Sequence, residues 1–443
     1  MGNKASKKIK IITVIPNESK RKSLAEIIRT SPPLSLIILK PGTYEENETI
    51  VIDKPLQIIG ITEGKQKPVI VNSKDCFEIV CQDKVIIKGL DIQNKGSKTV
   101  IEAKEGELCI DSCQISSAED GVLVTHTAKV MITSSKICDC SKAGLHCTGQ
   151  NIRCIVRDVQ IFECVTGVAI FSEANPMIAQ STITQCGIGL FVSEKGRGCI
   201  TDTVITGNKK PGVLTHSLGN PVINNTKIID GSSNGVFVRS KGKGVFVGCE
   251  ISKNTLPGIA SCEGGDPLVV SSSISEGRNA GIFVYDNGKG IFSNCQIKDN
   301  SMPGIEVRAS GNPIVVGCEV SRGQSNGIYI HNKGTGLFAQ TKVNENTLPG
   351  VAVRTSGDPI LCQCELVAGK DNALFVSDKG KGVVLNTVIE GCSAQPMVIQ
   401  DAQPLMLGCS VIDGKKNNVQ NWINSIPENL GLLEEDMPDF DLV

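Results

Sequence analysis

Apolar positions recur through the middle of this chain with a period of 23 residues. A glycine marks each repeat, and the positions one and three residues after it are mostly apolar, as in Val236 and Val238. Another apolar row, including Ile251 and Ile274, lies seven residues before each glycine. Alternate apolar positions predict short strands with one buried face, and each repeat has room for about three of them. The marker residues are Gly121, Gly144, Gly167, Gly189, Gly212, Gly235, Gly258, Gly281, Gly304, Gly327 and Gly350, with Ala373 in the next slot.

A repeat this short and regular predicts a solenoid in which each unit stacks only on its neighbours. Solenoids of helical repeats have longer units, roughly 33–47 residues, with apolar positions at helical spacing. This chain shows strand-like alternation, many β-branched residues and 46 glycines instead. We therefore predict an all-β fold, a single-stranded right-handed parallel β-helix with three strands per 23-residue coil.

Two kinds of turn alternate along the repeat, so the full unit is a pair of coils spanning 46 residues. One coil carries a Lys-Gly-x-Gly type of turn, as at 241–244, and the next carries Asn-Pro or Asp-Pro, as at 220–221. Glycine permits positive φ, and proline fixes φ where no ladder donor is needed. Four asparagines share the same period, and we expect them to satisfy backbone groups inside the turns: Asn208, Asn254, Asn300 and Asn346.

Both ends of the chain depart from the repeat, and open strand edges there would need covering. We divide the chain into a basic N-terminal segment at 1–16, a β-helix with an N-terminal cap at 17–416, and a C-terminal cap with an acidic tail at 417–443. Residues 23–28 predict a short amphipathic capping helix that ends before Pro32. Trp422 is expected to cover the last coil.

The N-terminus matches the myristoylation pattern M-G-x-x-x-[ST] with Gly2 as the acceptor. One acyl chain holds a protein only marginally at a membrane, and a basic patch supplies a second signal. The basic residues here are Lys4, Lys7, Lys8 and Lys10. We predict lipidation at Gly2 and peripheral membrane contact; the alternative is an ordinary solubilising start.

Composition narrows the class of protein further. Cysteine, serine and threonine interchange in one small slot of the repeat, as at Cys249, Ser272 and Cys295, which predicts buried free thiols in a cytoplasmic protein. The net charge of −1 argues against nucleic-acid binding, which needs a basic field. No second cysteine pair lies at zinc-finger spacing, so we expect no metal and no cofactor.

Aromatic residues make up only 3% of the chain, yet five of them fall two positions after the marker glycine. Side chains there should point outward, with one ring in every second coil and rings about 10 Å apart. The five are Phe191, Phe237, Phe283, Tyr329 and Phe375, and the row beside them contains Arg239, Tyr285, Arg308, His331 and Arg354. Aromatic rings interleaved with arginine are typical of recognition surfaces and suit either sugar rings or an acidic peptide. The alternative is that another segment covers the row, or that the rings only stiffen the sheet.

No catalytic group stands out from the sequence. Acid–base chemistry on polysaccharides needs clustered carboxylates, but Glu250, Glu319 and Glu365 do not fall in adjacent coils. The histidines are dispersed, and motifs for serine hydrolases, zinc proteases and phosphate loops are missing from the sequence. We therefore predict no catalytic residue.

The paired coils, as in 219–238 and 241–259, resemble the repeats of intracellular pectin-lyase-like β-helices. They are most similar to the β-helix of F-box substrate-recruiting proteins and of Shc SH2-domain-binding proteins, over roughly residues 110–410. Residues 40–46 resemble the first coil of pectin-lyase-like domains. The resemblance implies a right-handed β-helix and, in the F-box relatives, presentation of partner proteins to a ubiquitin ligase. The F-box itself is absent from this sequence.

We therefore predict a non-enzymatic scaffold or adaptor that binds a partner protein through the aromatic and arginine rows. The alternative is a carbohydrate-binding or carbohydrate-active β-helix protein, acting as a lyase, hydrolase or epimerase on a glycan. A structural rod that associates with itself is a third possibility.

Overall fold

Successive strands of this chain stack in register on the strands one coil away. The structure is a computed structural model, and it describes residues 9–16, 22–96, 98–116, 119–391 and 395–413, together with the backbone of 418–422. Three parallel sheets run the length of a right-handed β-solenoid, as the sequence predicted. Each coil contributes one strand to each sheet, which we number sheets 1, 2 and 3 in the order the chain first enters them.

Sheet 1 begins with a strand inside the segment assigned as basic, since Ile11–Val14 pairs in parallel with Ser35–Leu39. The strands of sheet 1 are Ile11–Val14, Ser35–Leu39, Leu56–Gly60, Lys84–Lys88, Glu107–Asp111, Lys129–Thr133, Arg153–Arg157, Met177–Ala179, Cys199–Thr201, Val222–Asn224, Lys243–Val247, Asp266–Val270, Ile291–Ser293, Ile314–Val316, Thr335–Ala339, Asp358–Cys362, Val383–Leu385 and Leu405–Leu407.

Sheet 2 ends differently from the others, because its last strand, Asn418–Trp422, runs antiparallel to Cys409–Asp413. The strands of sheet 2 are Gly42–Glu46, Pro68–Asn72, Asp91–Asn94, Gln114–Ser116, Lys136–Cys138, Gln160–Phe162, Thr182–Thr184, Val204–Thr206, Lys227–Ile229, Glu250–Ser252, Ser273–Ser275, Gln296–Lys298, Glu319–Ser321, Lys342–Asn344, Glu365–Val367, Val388–Gly391, Cys409–Asp413 and Asn418–Trp422. The Trp422 side chain, predicted to cover the last coil, lies outside the described residues.

Sheet 3 contains the strands that follow the marker glycines. They are Ile50–Ile52, Phe77–Ile79, Ile101–Ala103, Val122–Val124, Ala143–Thr148, Thr166–Phe171, Ile188–Val192, Val213–Thr215, Val236–Val238, Ile259–Ser261, Ile282–Val284, Ile305–Val307, Ile328–Ile330, Val351–Val353, Leu374–Ser377 and Met397–Gln400.

The core is a narrow stack of inward-facing aliphatic and aromatic columns. Sheet 2 contributes isoleucines such as Ile251 and Ile274, and sheet 1 contributes Phe246 and Phe292, all of them essentially inaccessible to solvent. A side chain at a marker glycine would not fit beside this core. A Cβ at Gly281 would lie 2.6 Å from Ile297 Cγ2 and 2.7 Å from the carbonyl oxygen of Gly304. Glycine therefore recurs every 23 residues because the backbones of neighbouring coils approach closely at this position.

The predicted asparagine ladder is confirmed. Asn300 Oδ1 accepts a hydrogen bond from the backbone N–H of Gly277 at 3.0 Å, and its Nδ2 donates to the carbonyl oxygen of Ile274 at 3.2 Å. Asn254 and Asn346 make the equivalent pair of bonds in their own coils. Each asparagine thus satisfies two buried backbone groups where the chain turns.

The short helix at the N-terminal end is Leu24–Thr30, close to its predicted position. Ser23 caps it by accepting a hydrogen bond from the N–H of Glu26, and the helix buries Leu24 and Ile28 against the first coils. Within the described ranges, no helix is both long enough and apolar enough to span a bilayer. The 18 cysteines of these ranges are all free thiols, and most are buried.

Candidate functional site

The ten residues predicted as a recognition surface lie on one face, the outer face of sheet 3. Their strands alternate between buried and part-exposed positions, so Ile282 and Val284 enter the core while Phe283 between them points outward. Pairing between coils brings Phe283 beside Ala260 on one side and Glu306 on the other. Rings therefore occupy every second coil of this column, about 10 Å apart.

Two pairs of rings stack flat on this face. Phe283 and Tyr285 have ring centroids 4.4 Å apart and planes inclined by 18°, and Tyr329 and His331 have centroids 4.3 Å apart and planes inclined by 13°. In each pair the two residues alternate along one strand, so both point out of the same face. Packing against each other restricts the rings and covers one flat side of each.

Three arginines of the neighbouring column lie against the rings. The guanidinium carbon of Arg308 is 5.0 Å from the centroid of Phe283, and that of Arg354 is 4.6 Å from the centroid of Phe375. Arg239 lies 5.7 Å from Phe237 in the same way. These distances fit cation–π contacts, which orient a planar guanidinium without neutralising its charge.

Some arginines on the face pair with a carboxylate and others do not. Arg239 Nη2 contacts Glu263 Oε1 at 3.0 Å, and Ser240 donates a hydrogen bond to the same carboxylate. The Ser240 hydrogen bond, together with the charge of Arg239, lowers the pKa of Glu263. In the part of the chain that the structure describes, Arg308 and Arg354 have no carboxylate within ion-pair distance. The middle of the face therefore presents uncompensated positive charge.

A histidine–carboxylate pair lies beside these arginines. His331 Nε2 is 3.1 Å from Glu306 Oε1, and the two side chains are only 12% and 17% exposed. One coil earlier than Glu306, Tyr285 is part-buried, and burial with a hydrogen bond to Cys262 raises the pKa of its phenol. Tyr285 therefore stays protonated near neutral pH and can donate a hydrogen bond.

The sequence reasoning missed two carboxylates at the N-terminal end of the same column. Glu78 and Glu102 are register partners in adjacent strands, and Lys104 Nζ contacts them at 2.6 and 3.4 Å. The hydrogen bond to Glu78 raises the pKa of Lys104. Coil length varies before Gly121, which hid the column; the alternation in Phe77-Glu78-Ile79 and Ile101-Glu102-Ala103 was the signal available.

Other predicted groups lie away from this face or outside the described residues. Gly2, Lys4, Lys7 and Lys8 belong to the undescribed N-terminus, whereas Lys10 is described and exposed. An exception is His216, which lies on this face in the outward row one coil before Arg239 and contacts the hydroxyl of its neighbour Ser217, whereas His126 is exposed in a turn. Among the described residues, no group of three or more histidine, cysteine or acidic side chains is arranged to hold a metal ion.

The family follows from a comparison with known protein families. A family model described as the right handed beta helix region matches residues 67–188, 166–300 and 262–421, which overlap and cover most of the chain. The chain belongs to the right-handed β-helix family. This confirms the predicted fold and the general pectin-lyase-like resemblance.

Several solved β-helix structures are similar to this protein at low identity. Pectate lyase Pel9A has a TM-score of 0.43 and 15% identity, over 54% of this chain and 74% of its own. The A-module of Azotobacter vinelandii mannuronan C-5 epimerase AlgE6 has a TM-score of 0.41 and 13% identity, over 87% and 93%. A mannuronic acid specific polysaccharide family 6 lyase from human gut microbiota has a TM-score of 0.38 and 12% identity, over 90% and 91%.

These comparisons contradict the main functional prediction, a non-enzymatic interaction scaffold. The similar solved proteins are lyases and an epimerase, so the scaffold prediction is set aside, and the alternative of a carbohydrate-binding or carbohydrate-active β-helix protein remains a prediction. At these identities the similarity itself establishes only the fold. What the outer face of sheet 3 binds must be argued from its own residues.

Proposed function

We propose that this protein binds an acidic polysaccharide chain along the outer face of sheet 3. The observation that carries the proposal is the column of outward rings in every second coil, flanked by Arg308 and Arg354. An extended polymer suits this surface because the surface is itself a linear repeat.

The rings supply the apolar part of the recognition. A pyranose presents C–H bonds on one face, and those bonds pack against the uncovered parts of the rings, such as the side of Tyr329 that His331 does not contact. Strands of adjacent coils lie about 4.8 Å apart, which is close to the advance of an extended glycan per sugar unit. Rings in alternate coils therefore contact alternate sugars, while the smaller Ala260 and Ala352 leave room between them.

The arginines supply selectivity for charge. A guanidinium donates paired hydrogen bonds to a carboxylate or sulfate, and Arg308 and Arg354 have no protein carboxylate to satisfy them. Two such groups, two coils apart on the same column, match acidic groups that repeat along a polymer. A neutral glycan leaves both charges without a partner and is expected to bind more weakly.

If the protein also acts on the bound chain, the Tyr329 hydroxyl is the group positioned to exchange a proton with it, because the outermost nitrogen of His331 is already held by Glu306. Glu306 holds His331 at Nε2, and Tyr329 stacks on the imidazole. Both residues belong to the same outward columns as the rings that would hold the sugar.

Affinity electrophoresis tests the binding proposal. The protein is run through gels that contain alginate, polygalacturonate or the neutral glucan laminarin, beside the double variant Phe283→Ala/Tyr329→Ala. Phe162→Ala is the matched control, because Phe162 is a part-exposed ring on the outer side of sheet 2. We expect the acidic polymers to retard the native protein and the control but not the double variant. Equal mobility in every gel, or equal retardation of all three proteins, contradicts the proposal.

Three sequence predictions remain proposals that rest on sequence patterns. They are myristoylation at Gly2, peripheral membrane contact through Gly2 and Lys4, Lys7, Lys8 and Lys10, and a cytoplasmic location. The closer likeness to F-box and Shc SH2-domain-binding β-helices likewise rests on the paired coils. The intact mass of protein purified from its native cell tests whether Gly2 carries a lipid, because an acylated N-terminus is heavier than an unmodified one.

A further inference from the structure

The repeat breaks over adjacent coils in the regular part of the solenoid, where Gly167 and Gly189 are 22 residues apart and not 23. Sheet 3 strands Ala143–Thr148 and Thr166–Phe171 span six residues, against three in most other coils. Sheet 1 pairs residues 24 apart at this step, Lys129 with Arg153, and 22 apart at the next, Ile155 with Met177. The turn between the sheets bulges at Gly149, whose φ of +102° suits glycine. Departures from an otherwise consistent pattern concentrate at functional sites.

A histidine held by a buried carboxylate lies at this break. Asp120 Oδ2 is 3.2 Å from His146 Nδ1, and Asp120 Oδ1 accepts a hydrogen bond from the N–H of Ala143 at 3.0 Å. The Asp120 side chain is only 5% exposed, whereas that of His146 is 24% exposed. An ionised carboxylate only accepts hydrogen bonds, so in the neutral imidazole this contact places the proton on Nδ1 and leaves Nε2 as an acceptor.

In His331, the other carboxylate-held histidine on the face, the carboxylate contacts the opposite ring nitrogen. Glu306 occupies Nε2 of His331, which is the nitrogen at the tip of that side chain. Asp120 occupies Nδ1 of His146, the nitrogen nearer the backbone, and leaves the tip. Of the two carboxylate-held histidines, His146 is therefore the one that offers its outermost nitrogen to a ligand.

Aromatic rings flank His146 on the same outer face. Phe171 meets the imidazole edge to face, with centroids 5.5 Å apart, and meets Phe191 in the same way at 5.1 Å. His146 and Phe191 both belong to the outward column, with Ala169 between them in the register. Phe171 thus connects the histidine to the first ring of the column.

A shallow cleft of about 530 Å³ opens where these strands end. It is lined by the bulged turn at Gly149 and Gln150 and by Glu173, Glu194 and Lys195 of the next two coils. Lys195 Nζ lies 3.8 Å from Glu173. Charged side chains border the cleft, and it follows directly from the strands that carry His146 and Phe171, so a ligand on the face can extend into it.

We propose that His146 and Phe171 form a distinct sugar subsite at this break. His146 Nε2 accepts a hydrogen bond from a glycan hydroxyl group, and Phe171 packs against the C–H face of the same sugar. The inference rests on the proposed function, because the glycan must lie along the outer face of sheet 3. It adds a site that recognises a neutral hydroxyl group, whereas the arginines recognise charged groups.

Two substitutions test the subsite by different routes. Asp120→Asn still accepts the Ala143 N–H but presents an amide N–H to Nδ1, so the proton moves to Nε2 and the acceptor becomes a donor. His146→Phe keeps a ring against Phe171 and removes both nitrogens. His126→Gln is the control, since His126 is exposed in a turn. Alginate and polygalacturonate oligomers are titrated calorimetrically, and ¹⁵N NMR of the imidazoles reports the tautomer.

We expect the NMR signals to show Nδ1–H in the native protein and Nε2–H in Asp120→Asn. Losing one hydrogen bond to a neutral group should weaken oligomer binding about fivefold in His146→Phe and not in the control. Asp120→Asn should change the affinity less, because its Nε2–H can donate to the oxygen of the same hydroxyl group. A native Nε2–H tautomer overturns the subsite. So does native affinity in His146→Phe while Phe283→Ala/Tyr329→Ala binds poorly, a result that leaves the proposed function intact. Failure of the native protein to bind any of these oligomers overturns both proposals.

Discussion

Removing the two uncompensated arginines gives the sharpest test of how the outer face recognises charge. The changes are Arg308→Gln and Arg354→Gln, which keep a long polar side chain and delete the positive charge. Both guanidinium groups lie against rings and have no carboxylate partner among the described residues. Deleting them therefore breaks no ion pair of the folded protein that the structure shows, and the fold should tolerate both changes.

The expected loss of affinity follows from the solvent exposure of the arginines and the distance between them. A charge-assisted hydrogen bond contributes about 1.5–3 kcal/mol, but Arg308 is exposed, so solvent screening reduces its contribution to about 1 kcal/mol. That corresponds to about fivefold weaker binding for each change. Arg308 and Arg354 lie two coils apart, about 10 Å, and effects at that separation are nearly additive. The double variant should therefore bind about 25-fold more weakly.

The assay is a calorimetric titration with polygalacturonate oligomers at low and at moderate salt. Lys289→Gln is the matched control, because it removes one positive charge from an exposed turn beside the face. The control should lose little affinity at moderate salt, where distant exposed charges are screened. If the double variant loses no more affinity than Lys289→Gln, direct contact between the arginines and the ligand is wrong.

Three further predictions concern the solenoid that carries the face. Asn300→Ala leaves two buried backbone groups unsatisfied and should lower the free energy of unfolding by about 2–5 kcal/mol in urea denaturation, while the exposed Asn220→Ala should change it little. Gly281→Ala places a Cβ within 2.7 Å of the Gly304 carbonyl oxygen and should open the stack locally. We expect faster amide hydrogen exchange in the adjacent coils, and unchanged exchange contradicts the prediction. Burial raises the pKa of Cys76 to about 12 from 9.0, so the folded state keeps a proton that the unfolded chain releases. The free energy of unfolding should therefore fall as pH rises above 9. In Cys76→Ala the urea midpoint should fall less steeply with pH.

The sequence predicted the columns of sheet 3 because strand alternation and a fixed period act together. Once Gly281 and Gly304 are aligned one coil apart, the outward positions Phe283 and Glu306 must be neighbours, whatever their side chains. The same reasoning predicted the asparagine ladder. In both cases the backbone determines the outcome, and a repeat read from one sequence is enough to recover it.

The contacts between side chains of different coils were not predictable in the same way. Whether Arg308 lies over Phe283 or pairs with an acidic neighbour depends on rotamers, which the period does not specify. Asp120 and His146 are 26 residues apart and meet because the residue before one marker glycine lies beside the outward residue of the next coil. That diagonal relation is a property of this stack, and it becomes visible only when the register is known.

The break near Gly149 shows how the stack tolerates a local change of shape. Strand pairing in sheet 3 keeps a 23-residue step there, from Leu145 to Val168, although sheet 1 takes 24. Sheet 2 also takes 24, from Lys136 to Gln160, so the extra residue enters in the turn at 149–152, and a turn one residue shorter before Thr166 returns sheet 3 to a step of 23. Because each coil contacts only its neighbours, the ring column beyond Phe191 is unaffected. A long, regular platform and one irregular cleft can thus coexist on the same face, which is the arrangement a polymer-binding surface needs if one sugar is to be treated differently from the rest.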